Sequence, residues 1–256
     1  MACLAISSLL PIGTASTVTP PFKGYARTWG YANVGGCGYA NLPFHPQFNR
    51  SSGVAGWSAV TQARSCAGQR GGGYDLFNAM QIELPVRPGA GAHSFTLSIA
   101  YHVSGRESIS APLNCPPVRL NAHGDGSRDC RVEAAYFVSI TASLVDLTAS
   151  VSYPSGSSLA LGSQSYLQNY TGCVAGNCSY RNVTVGSQGT NQSVRHGALN
   201  FSVSMVTNSS HRYTFQLWIS VSAGAFCIGY PGASAFARDE LTGPGNFVRL
   251  QALTIT

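Results

Sequence analysis

The chain has 256 residues, of which 44% are hydrophobic and only 9% are charged, and its net charge is +6. Disordered chains combine low hydrophobicity with high net charge, so this composition excludes a disordered protein. No apolar run of about 18 residues follows the first positions, so we expect no membrane span.

The residues before position 20 carry two signals. Residues 2–15, ACLAISSLLPIGTA, resemble the apolar region of a signal peptide but lack the basic start. We therefore interpret residues 1–15 as a signal peptide or a retained N-terminal segment. Residues 14–19, TASTVT, favour a strand, which could complete the sheet of a neighbouring subunit as a donor strand.

Alternation of apolar and polar residues dominates the rest of the chain. It is clearest in residues 92–103, and residues 80–86, 198–206 and 212–222 repeat it. Such alternation predicts strands with one buried and one solvated face. Further strands are predicted at 55–63, 134–147 (one strand, or two joined near Asp146), 148–153, 179–185, 225–230, 233–238 and 246–255.

Two connections follow from the turn residues. The turn-like sequence at 208–211 predicts that residues 198–222 form a hairpin, and the Pro-rich and Gly-rich segment 104–131 is predicted to be a large loop. About ten to twelve strands between Gly, Pro and Ser turns predict an all-β fold. We expect residues 16–256 to form a single β-sandwich or jelly-roll-like domain with disulfide-closed loops.

The asparagines are unusually often followed by the N-x-S/T pattern of a glycan acceptor. Seven of the 13 Asn begin such a sequon, although Ser and Thr make up only 48 of 256 residues. N-glycans require an exposed surface of an exported protein, so the pattern predicts secretion to the extracellular space or the cell surface. The predicted glycosylation sites are Asn49, Asn169, Asn177, Asn182, Asn191, Asn200 and Asn208.

Eight cysteines without any C-x-x-C spacing favour disulfides over a zinc ribbon or a redox motif. An oxidising, extracellular compartment is the expected setting. Spacing alone cannot determine the connectivity, and removal of residues 1–15 would also remove Cys3. The expected pairs are Cys173–Cys178, Cys115–Cys130 and Cys37–Cys66, with Cys3 and Cys227 remaining.

No motif indicates a reaction. The nine carboxylates show no spacing that nominates a glycosidase pair, and no G-x-S-x-G sequence occurs. Residues 123–129 offer oxygen ligands for Ca²⁺ but lack the EF-hand pattern, so a solvated turn is favoured. The six His form no close pair along the chain. We therefore expect no enzyme, no catalytic residue, no metal site and no cofactor.

The positive charge is dispersed over 14 Arg and one Lys, and its densest group, Arg119 to Arg131, is interspersed with carboxylates. Nucleic-acid-binding proteins carry a continuous basic patch, so no nucleic-acid partner is expected. Aromatic rings can stack on sugars, which makes Trp29, Trp57 and Trp218 candidates for a sugar platform. Trp218 lies on the predicted polar face of its strand, although such a ring also packs under loops.

A family resemblance is carried by four features. These are Trp29-Gly-Tyr, Gly36-Cys37-Gly38, the clustered sequons, and a strand from Tyr213 to Val221 that precedes Gly245-Asn246-Phe247. Together they resemble archaeal secreted surface proteins that are rich in β-structure. The resemblance implies a glycosylated subunit of an extracellular filament, in which donor strands join copies of the chain.

The leading hypothesis is therefore a secreted structural surface protein that self-assembles into a pilus-like filament or a lattice by strand complementation. Its expected partners are copies of itself, with glycans or a cell surface as further candidates. A carbohydrate-binding or adhesion module is the alternative, suggested by the Trp residues. A secreted hydrolase is the third, because triads and carboxylate pairs are assembled in space.

Overall fold

The structure is a computed structural model that describes residues 15–35, 38–41, 47–56, 58–64, 72–112, 115–230, 232–240 and 246–256. Within these ranges the chain forms fifteen strands and no helix. The strands are β1 (Ser16–Val18), β2 (Tyr25–Gly35), β3 (Gly38–Asn41), β4 (Gln47–Asn49), β5 (Val54–Gly56), β6 (Ser58–Arg64), β7 (Gly72–Val86), β8 (Gly91–Ser110), β9 (Gly126–Asp146), β10 (Val151–Val174), β11 (Asn177–Val185), β12 (Gly189–Thr207), β13 (Tyr213–Ile228), β14 (Ser234–Glu240) and β15 (Phe247–Ile255).

These strands form two antiparallel sheets. The six-stranded sheet has the order β11-β10-β9-β13-β7-β2. In the nine-stranded sheet, β12 pairs with one side of β8. On the other side of β8, β14 pairs with residues 104–110 and β15 pairs with residues 95–102. Strands β6 and β3 extend this sheet beyond β14, while β5, β4 and β1 lie beside β15. The all-β sandwich prediction is confirmed.

The hydrophobic core lies between the two sheets. Alternate residues of β8, β9 and β13 are buried, as the sequence pattern predicts, and the same alternation continues on β7. Burial of these apolar side chains is the main force that holds the sheets together. The largest fully buried side chains are Tyr230, Phe95, Phe201, Phe215, Leu76, Met80, Ile82, Leu97, Ile99, Ile140 and Leu144.

Four strands have 19 residues or more, whereas five or six residues are usual. Strands β8, β9, β10 and β12 have 20, 21, 24 and 19 residues. At about 3.4 Å per residue, β9 alone would extend roughly 70 Å. The strand count also exceeds the ten to twelve expected, since β1, β3, β4 and β5 have only three or four residues each. Strands β3 and β4, which no predicted strand covers, are too short to show a recognisable alternation.

The predicted hairpin over 198–222 is wrong. Strand β12 pairs with β8 in the nine-stranded sheet, whereas β13 pairs with β7 and β9 in the six-stranded sheet. The turn after β12 therefore carries the chain from one sheet to the other. It is tied to the turn after β9 by a backbone hydrogen bond, in which the amide of Leu147 donates to the carbonyl of Arg212 at 2.8 Å.

The predicted loop over 104–131 is also wrong at both ends, because β8 continues to Ser110 and β9 begins at Gly126. Gly105 and Glu107 occupy inward positions of β8 that an alternation pattern expects to be apolar. The short strand predicted at 148–153 begins instead with the turn 147–150, and β10 then runs without interruption to Val174.

Strand β12 closes one lateral side of the sandwich. The first half of β10, residues 151–165, has β9 on one side and no strand on the other within the described ranges. Side chains of β12 cover this part of β10. The Arg195 guanidinium donates to the carbonyl of Ala160 at 3.3 Å, and the Asn191 amide donates to the Ser165 hydroxyl at 2.9 Å.

Two disulfides join the strands at one end of the sandwich. Cys115 is bonded to Cys130 at the start of β9, and Cys173 is bonded to Cys178 across the β10–β11 hairpin. Both pairs confirm the sequence prediction. Cys3, Cys37 and Cys66 lie outside the described residues. Cys227 is buried in the core, where desolvation raises its pKa to about 12.

The described ends of the chain meet in the nine-stranded sheet. Strand β1 pairs with β15 so that Ser16 lies opposite Ile255 and Val18 opposite Leu253. The sequence predicts a strand within residues 14–19, and β1 occupies 16–18 of them. Strand β15 is bordered by β8 on its other side, so it is an inner strand of the sheet. The described ranges contain no helix with the length and hydropathy of a membrane span.

Candidate functional site

Two surfaces of the sandwich carry the residues that the sequence singles out. The first is the lateral side formed by β10, β11 and β12, which we call the sequon side. Five of the seven predicted glycan acceptors lie on these strands, namely Asn169, Asn177, Asn182, Asn191 and Asn200. Asn208 follows β12 in the turn that changes sheets, and Asn49 ends β4.

Five of the seven acceptors are exposed, and two are half-buried. Asn49 and Asn208 each accept backbone hydrogen bonds through Oδ1, from Ser51 and Ser52 in the first case and Ser210 in the second. These bonds order the turn and involve the oxygen, whereas a glycan is attached to the nitrogen. The remaining exposed acceptors are Asn177, Asn182 and Asn200.

The half-buried acceptors use their nitrogen within the protein. Nδ2 of Asn169 donates to the hydroxyl of Tyr230, a residue without solvent exposure. Nδ2 of Asn191 donates to Glu107 Oε1 at 3.2 Å and to the Ser165 hydroxyl at 2.9 Å. A glycan on either nitrogen would displace one of these N–H groups. The sequence pattern alone therefore does not distinguish these two acceptors from the five exposed ones.

Glu107 is the centre of a buried polar cluster beneath the sequon side. Its carboxylate has no solvent exposure and accepts hydrogen bonds from the hydroxyls of Ser163 and Ser165 at 2.7 and 2.9 Å. The backbone amide of Ser165 donates to the other oxygen at 2.7 Å. Together with Asn191, these donors compensate the loss of water around a buried carboxylate. The cluster joins β8, β10 and β12.

The second surface is the outer face of the six-stranded sheet. Trp29 on β2 and Trp218 on β13 lie on this face with their ring centroids 5.1 Å apart and their planes at 76°. Both are more than one third exposed, at 39% and 37%. The small residue Ala79, which is 2% exposed, lies on β7 between these two strands. Trp57 lies outside the described residues.

Two hollows open on this face along β13. The hollow beside Trp218 measures about 460 Å³ and is bordered by hydroxyl-bearing residues of β9 and of the irregular part of β10. The second measures about 540 Å³ and has Gly224 and Ala135 in its lining, with Phe137 and Phe226 beside them. Both volumes lie within the roughly 300–1,000 Å³ that is usual for small-molecule sites.

Glycines in the neighbouring strands let the two phenyl rings lie flat against the sheet. A Cβ at Gly73 of β7 would lie 2.6 Å from the ring of Phe226, and one at Gly162 of β10 would lie 2.8 Å from that of Phe137. The rings therefore lean away from each other, towards opposite neighbours of the β13–β9 pair. The space between them is lined by the small residues Gly224 and Ala135.

Arg131 organises the polar side of the second hollow. Its guanidinium lies 5.0 Å from the ring centroid of Tyr166 and 5.1 Å from that of Phe226, and it forms an ion pair with Glu133. Glu133 also accepts a hydrogen bond from Gln164 at 2.7 Å. Asp75 lies in the same lining without a hydrogen bond to any described residue.

A further acid–base pair lies near one end of the six-stranded sheet. His211 Nδ1 is 2.6 Å from Asp146 Oδ2, and the amides of Thr148 and Ala149 donate to Oδ1 at 2.9 Å. Burial raises the pKa of Asp146, but the hydrogen bonds from His211, Ala149 and Thr148 outweigh it, so this pKa lies below its ordinary value. No serine hydroxyl bonds to His211 within the described ranges, so a Ser-His-Asp triad is not assembled there.

The segment considered for Ca²⁺ is an ordered turn. Asn121 Oδ1 accepts hydrogen bonds from the amides of His123 and Asp125, both at 2.9 Å. Asp125 Oδ1 accepts one from the amide of Ala175, which ties this turn to the β10–β11 turn. Across β8 and β12, His102 and His196 lie opposite each other with ring centroids 5.8 Å apart. No group of three potential metal ligands occurs among the described residues.

The sequence reasoning did not identify Phe137, Phe226 or Arg131 as parts of one site. The available signal was the presence of glycines inside strands, at 73, 162 and 224, since glycine in a strand often marks a close approach of another group. No protein-family model matches the chain, and no curated protein is similar to it.

Proposed function

We propose that this chain is a secreted, N-glycosylated structural surface protein that joins copies of itself into a filament or lattice by strand complementation. The observation that carries this proposal is the uneven distribution of the sequons over the edges of the sandwich. The sequon side bears five of them, whereas on the opposite side β2 bears none and β4, at the far edge of the nine-stranded sheet, bears only Asn49.

Edge strands present unpaired N–H and C=O groups and pair readily with other chains unless something blocks them. Strand β12 is an edge strand of 19 residues and contains Asn191 and Asn200. Strand β11, the edge of the other sheet, contains Asn177 and Asn182. Glycans on the exposed acceptors would prevent strand addition on this side. Addition would then be directed to the opposite side.

The N-terminal segment is the proposed donor strand. Strand β1 has three residues, all exposed, and its ladder to β15 comprises three residue pairs. Few interactions are therefore lost when β1 leaves its own β15 and pairs with the β15 of a neighbour. Equivalent pairing between copies would preserve the backbone hydrogen bonds while joining the subunits.

Electron microscopy of the secreted, undenatured protein tests assembly, together with its mass under non-reducing conditions. We expect regular filaments or sheets from the full chain and folded single particles from a chain that lacks residues 1–18. Circular dichroism of both forms establishes that the shortened chain keeps its β-structure. Single particles of the full chain at the glycosylated monomer mass would contradict self-assembly, and filaments from the shortened chain would contradict the donor role.

A matched pair of substitutions tests which edge is used. Thr17 on the donor strand β1 and Thr190 on β12 are both exposed residues of edge strands, and neither belongs to a sequon. A charged lysine disfavours pairing at an edge. We expect Thr17→Lys to reduce filament mass, because β1 pairs with the β15 of a neighbour, and Thr190→Lys to leave it unchanged. An equal effect of the two substitutions would contradict the inference that strand addition avoids the sequon side.

A further inference from the structure

We propose that the outer face of the six-stranded sheet binds a neutral, linear oligosaccharide that extends along β13. We call this surface the β13 trough, defined by Trp218, Ser220, Ser222 and Gly224 of β13 with the facing residues of β9. This inference concerns a different surface from the edge strands and does not depend on self-assembly.

The floor of the trough consists of small side chains. On the outer face of β13, Ser220, Ser222 and Gly224 follow one another at alternate positions, and Ala135 lies opposite Gly224 on β9. Ser139 lies opposite Ser220. A flat ligand can therefore approach the sheet closely along this line, whereas the aromatic residues at the borders of the trough project beyond it.

One exposed ring stands at an end of this floor, and a second stands beside it on β9, where Phe137 lies opposite Ser222. Trp218 borders the first hollow, and Phe137, which is 46% exposed, borders the second. The C–H groups on one face of a pyranose ring pack favourably on an aromatic ring, because both surfaces are flat and apolar. The two ends of the floor, at residues 218 and 224, are roughly 20 Å apart at 3.4 Å per residue. Occupation of both hollows therefore requires a chain of several sugar units.

The polar groups beside the rings suit sugar hydroxyls. The hollow at Trp218 is lined by the hydroxyl-bearing residues Thr141, Ser143, Ser155, Ser157 and Ser158. The second hollow offers the Asp75 carboxylate and the Asn33 amide. Few and well-placed polar groups beside an apolar surface are typical of ligand sites.

The charges favour a neutral ligand over an acidic one. Arg131 is the cation in the lining of the second hollow, and it is paired with Glu133. Asp75 adds a negative charge there, and none of the described residues that line the hollow at Trp218 is charged. An anionic sugar chain would thus meet a net negative surface without a free cation to compensate.

The test is titration calorimetry of the secreted protein with neutral β-linked gluco-, xylo- and manno-oligosaccharides of four to six units. Glucose and an acidic oligogalacturonate serve as comparison probes. We expect saturable binding of at least one neutral series, affinity that rises from one to six units, and no binding of the acidic probe.

Three variants locate the site. Trp218→Ala removes an aromatic border and Ser222→Phe fills the floor, and each should weaken binding about tenfold or more, which is about 1.4 kcal/mol. Tyr180→Ala removes a ring that is 78% exposed on β11, outside the trough, and should have no effect. Because Ser222→Phe adds atoms to an outer face, its unfolding temperature should stay near that of the unaltered protein.

Failure of every neutral series to bind would overturn the proposal, as would a preference for the acidic probe. Equal losses in Tyr180→Ala and Ser222→Phe would also overturn it, because binding would then lie elsewhere. Release of new reducing ends from a bound oligosaccharide would replace the binding role with hydrolysis.

Discussion

The aromatic ring of Tyr136 on β9 rests directly on the backbone of Gly105 on β8. A Cβ added at position 105 would lie 2.0 Å from the ring, well inside van der Waals contact. Tyr136 is 2% exposed and belongs to the core between the two sheets. A large side chain on one sheet is thus accommodated by the absence of a side chain on the other.

Substitution of Gly105 by alanine should destabilise the fold. The ring of Tyr136 is enclosed by the core and cannot move aside freely, so we expect a loss of about 1–3 kcal/mol in the free energy of unfolding. Urea denaturation measures this loss. Gly89→Ala is the matched control, since a Cβ there meets no atom within 4 Å. Similar unfolding midpoints for the two variants would contradict the close packing of Tyr136.

Replacement of Asp146 should produce a pH-dependent loss of stability. The folded pKa of this carboxyl is lowered, so its contribution is present above the unfolded pKa of about 3.9 and is lost as the pH falls through the folded value. We expect Asp146→Asn to lower the free energy of unfolding by about 1–2 kcal/mol at pH 6. The difference in free energy of unfolding between Asp146→Asn and the unaltered protein should shrink as the pH falls below about 4.

Thermal unfolding between pH 2 and pH 7 checks this prediction. Asp75→Asn serves as the comparison, because Asp75 is exposed and makes no hydrogen bond to a described residue. If the two proteins differed in unfolding temperature by the same amount at every pH, the negative charge of Asp146 would make no contribution. This result would contradict the prediction.

The two disulfides should contribute unequally to stability. Chain-entropy arguments relate the contribution to the length of the closed loop, and the sequence separations are 15 and 5. We expect the double change Cys115→Ser and Cys130→Ser to lower the free energy of unfolding by about 3 kcal/mol, and Cys173→Ser with Cys178→Ser by about 2 kcal/mol. Denaturant titration of both variants, expressed in an oxidising compartment, gives the comparison. A larger loss from the shorter loop would contradict the entropic account.

Glycan occupancy should follow the use of the asparagine nitrogen. We expect Asn49, Asn177, Asn182, Asn200 and Asn208 to carry glycans, and Asn169 and Asn191 to remain unmodified. The reason is that Nδ2 of Asn169 and of Asn191 donates to groups inside the protein. Mass spectrometry of glycopeptides, from protein produced in a cell that exports and glycosylates it, measures occupancy at each position. High occupancy at Asn191 would contradict its contact with the buried Glu107.

The sequence predicted those parts of the fold in which one face is apolar throughout. The alternating residues of 92–103 and 212–222 are buried as the pattern indicates, and Asn200 lies on the solvated side of β12. Alternation shows which face of a strand is buried, but it does not show which strand lies beside it. For this reason the turn-like sequence at 208–211 predicts a hairpin, although in the structure this turn joins two sheets.

The continuation of β8 could not be predicted for a different reason. Gly105 and Glu107 interrupt the apolar pattern of β8. Each fits an inward position because it contacts residues that are distant in the sequence. Gly105 receives the ring of Tyr136, and Glu107 receives hydrogen bonds from Ser163 and Ser165. The sequence does not predict the β13 trough on the other sheet either, because its residues come from separate strands.

The pairing of β1 with β15 determines how the molecule would respond to tension. Ser16, at the start of β1, lies opposite Ile255, at the end of β15. A pulling force on these two ends would act across the hydrogen bonds and open the residue pairs one after another, because antiparallel bonds run perpendicular to the strands. Such unzipping requires less force than shearing a whole ladder at once. Tension applied at these two ends would therefore open this three-pair ladder first, before the long strands of the core.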